Sequence, residues 1–166
     1  SFFHPWLAQL EQTRTWKELL IGEPQNLSGI CMKLQGIIAE CRLSGPQQEL
    51  LTHELNHWQK DCLFAIRSSS PEEDLENASF AGAYKTILGV KAGDVQSLLP
   101  AVVASSLDYR VVLYKCNRGI NITPPRLAVI IQTQVPSDVS GIGFSVNPVN
   151  ADTRQMIIES ARGLGT

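Results

Sequence analysis

An excess of charge of either sign is the first thing this sequence lacks. Lysine and arginine number 14 and aspartate and glutamate 16 in 166 residues. That balance argues against a protein that grips nucleic acid by bulk electrostatics and leaves room only for a local basic pocket. Long apolar runs are missing too: no stretch approaches the roughly 20 residues that span a bilayer. The greasy start, Ser1 to Trp6, is soon interrupted by Glu11, Arg14 and Lys17, unlike a signal peptide. Cys31, Cys41, Cys62 and Cys116 form no C-x-x-C pair, which speaks against a zinc ribbon or a disulfide framework and for free thiols in a reducing, cytoplasmic setting. Internal repeats and low-complexity tracts are absent. An initiator methionine is missing as well, which fits a segment of a longer chain.

What is present is about one domain's length of chain, with enough apolar residues for a real core. The first sixty residues read as helical: Pro5 to Leu20, then Asn26 to Cys41 with Leu27, Ile30, Cys31, Leu34, Ile37 and Ile38 on one face, then Gln47 to Lys60 with Leu50, Leu51, Leu55 and Trp58 as its buried stripe. Gly22-Glu23-Pro24 and Ser44-Gly45-Pro46 separate them. The character changes at Cys62. The run from Leu63 to Ile66 reads as a strand buried on both faces and ending at Arg67. Tyr84 to Val90, Leu127 to Val135, Gly141 to Val146 and Met156 to Ser160 read as further strands, and Asp94 to Lys115 as a broken helix after a turn at Lys91 to Gly93. The expected architecture is α/β (α+β): a helical region over 1–61, then a mixed sheet with helices over 62–166.

Two stretches carry chemistry-bearing residues. His53-Glu54-Leu55-Asn56-His57 has the H-E-x-x-H spacing of zinc hydrolases, with Glu72, Glu73 and Glu76 as possible third ligands. On an amphipathic helix, however, the same residues are ordinary occupants of the wet face. The second stretch runs from Arg67 to Gly82. Ser70-Pro71-Glu72-Glu73 has the spacing of a capped helix start, so its carboxylates have a structural explanation. Arg67 offers a bidentate cation suited to phosphate oxygens, or an ion pair with Asp61, Glu72 or Asp74. Around Gly82 the backbone can approach a ligand closely and cradle an anion with its N–H groups.

The order of these residues resembles the nucleotide-binding domain of the phosphoenolpyruvate synthase and pyruvate phosphate dikinase family. Ile66-Arg67-Ser68-Ser69, Glu73-Asp74-Leu75 and Ala78-Ser79-Phe80-Ala81-Gly82 are similar to the family's VRSSATAEDLPxASFAGQ. Further blocks follow in register over about one hundred residues. Ala104-Ser105, Arg110 and Tyr114-Lys115 resemble its A-S-L-x-x-x-R-x-x-x-Y-R helix, and Val129-Ile130-Ile131-Gln132 its V-V-V-Q strand. Asp138 to Pro148 resembles D-V-S-G-V-A-F-T-x-N-P, and Ile158-Glu159-Ser160-Ala161 with Gly163-Leu164-Gly165 resembles I-E-A-x-x-G-L-G-E.

The resemblance implies an ATP-grasp-like fold holding ATP, with magnesium, in an enzyme that phosphorylates a histidine on a swivelling domain. That domain then passes the phosphoryl group to pyruvate, glucan or an antibiotic. It implies that Arg67 contacts the ATP phosphates, that Gly82 and Ala83 supply backbone to the loop covering them, that Gln132 sits near the nucleoside, and that the Gln134-Val135 backbone runs along the adenine edge. Arg110, and the 138–148 stretch taken as a sheet-stabilising hairpin, read as structural. Departures are Ser70-Pro71, Glu76-Asn77, Ala83-Tyr84 after the loop glycine, Gln134 in the hinge, and Thr166. The family's Gly-Gly-Lys-Gly segment, its magnesium-holding acidic and Gln-x-Arg segment, its histidine domain and its acceptor domain have no counterpart here. The chain is therefore expected to be the middle of a larger enzyme, inactive alone, with metal ligands elsewhere, no catalytic residue of its own, and a tendency to self-associate. Its partners would be ATP and those missing domains, with neither nucleic acid nor membrane. The alternatives are a non-catalytic relative that keeps the fold for partner binding and, last, a zinc hydrolase.

Overall fold

The computed structural model describes residues 2–21, 26–58, 61–70, 85–122 and 127–165. The chain divides into two units, Ser1–Gln134 and Val135–Thr166.

The first unit holds all the described helices. The apolar run of the first helical region is interrupted by Gln12 and Thr13, giving α1 (His4–Glu11) and α2 (Arg14–Leu20) where one helix was expected. Thr13 explains the break: its backbone is extended and its hydroxyl accepts the Trp16 N–H at 3.0 Å, the geometry of an N-cap. α3 (Leu27–Ala39) follows, capped by the Asn26 side chain. It buries Cys31, Leu34 and Ile38, three members of the expected face. α4 (Gly45–Leu55) begins where a loop was anticipated, because the Ser44 N–H and hydroxyl both donate to Gln47 Oε1 at 3.0 Å. Its expected stripe is only half realised. Leu51 and Leu55 pack on the core, while Leu50 and Trp58 are 54% and 51% exposed.

β1 (Phe64–Ser69), β2 (Thr86–Val90) and β3 (Ala128–Thr133) form an antiparallel sheet in the order β2-β1-β3. Between β2 and β3 lie α5 (Ala92–Ala104), a 3-10 turn (Ser105–Leu107) and α6 (Tyr109–Asn117). α5 contacts all three strands and α3 packs on α5, so the core is layered: sheet, then α5, then α3 with α2 and α6. Phe64 and Ile66 from the sheet meet Val95, Leu99, Val102 and Val103 in this core, all almost fully buried. Each such side chain contributes about 1.5–3 kcal/mol by leaving water. Burial, followed by the nearby Asp108 carboxylate and Cys116, pushes the Cys31 thiol up to about 11, so it stays an unreactive core residue. All four cysteines are free.

The second unit is a β-hairpin of β4 (Val139–Phe144) and β5 (Ile157–Arg162), paired from Val139↔Arg162 to Phe144↔Ile157. Gly163 donates its N–H to Asp138 O at 2.9 Å with φ of 78°, a conformation glycine adopts without strain. The connecting loop is tied by Asn147, whose side chain donates to Gln155 Oε1 at 2.8 Å, and by the Asp152–Arg154 ion pair. No helix among the described residues is long and apolar enough to cross a membrane.

Candidate functional site: the open face of the three-stranded sheet

β1 is buried on both faces from Phe64 through Ala65 to Ile66, as expected for that run, and opens at Arg67. Successive side chains of a strand alternate, and here Phe64, Ile66 and Ser68 enter the core while Arg67 is exposed. The strand does not end at the arginine but carries it in its middle, and pairing continues through Ser69. The opening at Arg67 reflects the single covering layer: α5 packs on one side of the sheet and leaves the other without a helix among the described residues.

Residues paired across antiparallel strands share a face, so the register specifies what the open face presents. Arg67 stands opposite Thr86 of β2 and Ile130 of β3, making one row. Ala65 stands opposite Gln132 in the next row, and Ser69 opposite Ala128 in the row on the other side. Thr86, Arg67, Ile130 and Gln132 are all exposed. Leu88, two positions along β2 from Thr86, shares the face and is 39% exposed. Strand spacing and rise make adjacent rows about 7 Å apart and the three-strand width about 10 Å. A cation flanked by two hydroxyls, Ser69 and Thr86, thus lies beside the apolar surface of Ile130 and Leu88, with the Gln132 amide one row away. Thr86 was missed by reading the sequence, where nothing sets it apart from any other strand threonine. Only the register places it against Arg67.

Among the described residues Arg67 forms no ion pair, and Asp61 is not its partner. A guanidinium held on a strand without a counter-charge among the described residues is suited to an anionic ligand. Gly82 and Ala83 lie outside the described residues, as do Glu72, Asp74 and the Ser70-to-Glu73 helix start beyond Ser70.

Gln134 has a structural task. It lies just past β3, donates its N–H to Leu63 O at 2.7 Å, and accepts the Gly89 N–H on its side-chain oxygen at 2.6 Å. Gly89 has φ of 70° beside the irregularity that interrupts β1–β2 pairing between Phe64 and Ile66. That is bulge geometry, and Gln134 clasps the bulge to the end of β3. Val135 opens the second unit and is 70% exposed. Arg110 pairs with the N-cap of its own helix: Asp108 Oδ1 accepts both the Arg110 N–H at 2.9 Å and Nε at 3.1 Å. Burial pushes the Asp108 carboxyl up, but these bonds outweigh it and the net shift is downward.

The H-E-x-x-H residues sit at the C-terminal end of α4 as exposed neighbours. Their candidate third ligands Glu72, Glu73 and Glu76 lie outside the described residues. No three histidine, cysteine or carboxylate side chains among the described residues cluster around a metal position.

Comparison with known proteins gives this face a context. An uncharacterized phosphotransferase of Bacillus subtilis (strain 168), YvkC, is 40% identical over 102 residues, 61% of this chain and 12% of the relative. Rifampicin phosphotransferase of the same organism is 28% identical over 164 residues, 94% of this chain and 19% of its own length. Phosphoenolpyruvate synthase of Pyrococcus furiosus is 35% identical over 108 residues, 64% and 13% of the two chains. The chain thus spans less than a quarter of each of these relatives. The family described as pyruvate phosphate dikinase, AMP/ATP-binding domain, matches residues 9–166, from the first helix through the second unit. A match of that extent, taking in every strand of the sheet that presents Arg67, means that this chain belongs to the pyruvate phosphate dikinase AMP/ATP-binding domain family.

Proposed function

We propose that the open face of the β2-β1-β3 sheet is where this domain receives ATP, and that the domain serves a phosphotransferase that moves a phosphoryl group from ATP, through a phosphohistidine on another domain, to an acceptor such as pyruvate. The observation that carries the reading is Arg67: an exposed strand arginine with no ion-pair partner among the described residues, in one row with Thr86 and Ile130. In this reading Arg67, helped by the Thr86 and Ser69 hydroxyls, binds phosphate oxygens, and Gly82 and Ala83 add backbone N–H groups from the loop. Ile130 and Leu88 offer apolar contact to the base, and Gln132 supplies an amide near the nucleoside. Gln134 acts through its backbone carbonyl at the adenine edge, since its N–H is donated to Leu63 and its side-chain oxygen holds Gly89. Val135 continues that edge.

Such a site works by positioning and charge neutralisation, which is most of what phosphoryl transfer asks of a protein. Magnesium in such sites is carried largely by the substrate phosphates, with one or two carboxylates and water. The metal's protein ligands, the phosphohistidine and the acceptor pocket belong in this reading to other parts of the same enzyme. A cytoplasmic setting and an ATP-grasp-like arrangement accompany it. Where those parts are missing, exposed apolar residues of the hairpin such as Ile142 and Ile158, 59% and 74% exposed, favour self-association.

The test is calorimetry with Mg-ATP, on this chain and on the protein extended at both ends, followed by incubation with labelled ATP to look for label on histidine. Binding and histidine labelling in the extended protein are expected. If it bound no nucleotide, the reading would be abandoned.

A further inference from the structure

The H-E-x-x-H stretch has a property that the nucleotide reading does not use. His57 Nδ1 lies 2.9 Å from the backbone oxygen of His53. A carbonyl oxygen only accepts, so Nδ1 of His57 carries the proton and its Nε2 holds a free lone pair. His53 Nδ1 lies 3.4 Å from Glu54 Oε1, so its ring turns that edge to a carboxylate. His57 thus donates its Nδ1 proton to a carbonyl and leaves Nε2 for a ligand, while His53 faces a carboxylate through Nδ1. Metal-binding histidines are held in this manner by their outer hydrogen bonds, one to a carboxylate and one to a carbonyl here.

The two rings are neighbours one helical turn apart, with centroids 4.7 Å apart at 72°. His53 is 70% exposed and Glu54 66%, so a hydrated ion reaches them freely. His57 is the fixed ring. His53 is held by the longer contact to Glu54. The pair also sits at the carbonyl end of α4, where the helix dipole favours positive charge.

We propose that His53 and His57 form a two-point chelate for a borderline divalent transition metal ion such as nickel(II) or zinc(II). Imidazole nitrogen suits these ions over magnesium or calcium, which prefer oxygen. With no third protein ligand among the described residues, water fills the remaining positions. The site is an exchangeable surface site and not a closed structural one, which needs four protein ligands. It is separate from the phosphate-facing Arg67 in sequence and in chemistry.

Trp58 provides the readout, because it follows His57 directly and is half exposed, whereas Trp6 and Trp16 are buried. The chain is stripped with chelator and titrated with nickel(II) and with zinc(II), by calorimetry and by tryptophan fluorescence. One ion per chain is expected, with nickel(II) quenching a signal that Trp58→Phe removes without loss of the calorimetric binding. His53→Ala and His57→Ala are each expected to weaken binding tenfold or more, and His4→Ala, at the remaining histidine, to leave it unchanged. Both targeted side chains are exposed, so unchanged circular dichroism of the variants is expected to accompany these losses. Absence of binding by the unmodified chain, or binding that survives the His53→Ala/His57→Ala double variant at full strength, overturns the proposal.

Discussion

Replacing Arg67 with alanine separates a ligand-binding arginine from a structural one. The side chain is exposed on the open face of β1 and forms no ion pair among the described residues. Its removal is therefore expected to change stability by no more than about 0.5 kcal/mol, as for surface positions without special contacts. That corresponds to a melting shift of roughly 1–2 °C at this chain length. Against ATP the loss is larger. A hydrogen bond to a charged group is worth about 1.5–3 kcal/mol, and each 1.4 kcal/mol is about tenfold in affinity. The expected weakening is thus roughly 10- to 150-fold, read by calorimetry on the protein extended at both ends, beside a melt of the same sample. Arg67→Lys is expected to recover only part of the loss, because a lysine keeps the charge but not the paired donors of the guanidinium fork. Unchanged affinity for Arg67→Ala would show that the cation does not face the nucleotide. A large fall in melting temperature would show instead that the arginine holds the fold together, and either result refutes the reasoning.

Two further predictions concern the frame around the site. Gln134→Ala removes the acceptor for the Gly89 N–H; a loss of about 0.5–1.5 kcal/mol is expected by denaturant unfolding, and Gln134→Glu, which keeps a side-chain oxygen in place, is expected to restore most of it. Asp108→Ala removes the N-cap of α6 and is expected to cost about 1 kcal/mol at neutral pH. Because folding lowers the Asp108 carboxyl below its ordinary 3.8, the aspartate's contribution is full above that value and is lost as the pH falls through the folded value. Unfolding free energies of the two proteins are therefore expected to keep a constant gap above 3.8 and to draw together as the pH falls below it through the folded value, and a gap unchanged even once the carboxyl is protonated in the folded protein would count against the Asp108–Arg110 bonds as its source.

How much of this was legible beforehand depends on the range over which each cause acts. The helices were legible because their causes are local: the face of α3 that buries Leu34 and Ile38 follows a 3.6-residue period. The split between α1 and α2 was also written locally, in Thr13, but a continuing apolar pattern concealed it. Leu50 and Trp58 were assigned to the core because they are apolar, and only packing against α5 decides which side of α4 is covered. β1 is doubly buried over Phe64 to Ile66 as read, and what the run did not reveal is its continuation through exposed Arg67 to Ser69. The extent of the strand is set by pairing with its neighbours, which continues through Ser69, and not by where its apolar run stops.

The same distinction decides what the functional reading rests on. The family blocks brought Arg67 and Gln132 forward as residue types, and the sheet register then gave them a common face, through Ala65↔Gln132 and Arg67↔Ile130. A slip of one residue between β1 and β3 would put Gln132 and Arg67 on opposite sides of the sheet. The core forbids that slip, because it would also move Ile131 and Val129 away from the helices they pack against. The partly buried residues of β3 therefore position the exposed ones: the apolar alternation of Val129 and Ile131 is what holds Ile130 and Gln132 beside the arginine. Thr86 is held there by the same logic through Ile87, its neighbour in the core-facing row, which stands opposite Ile66.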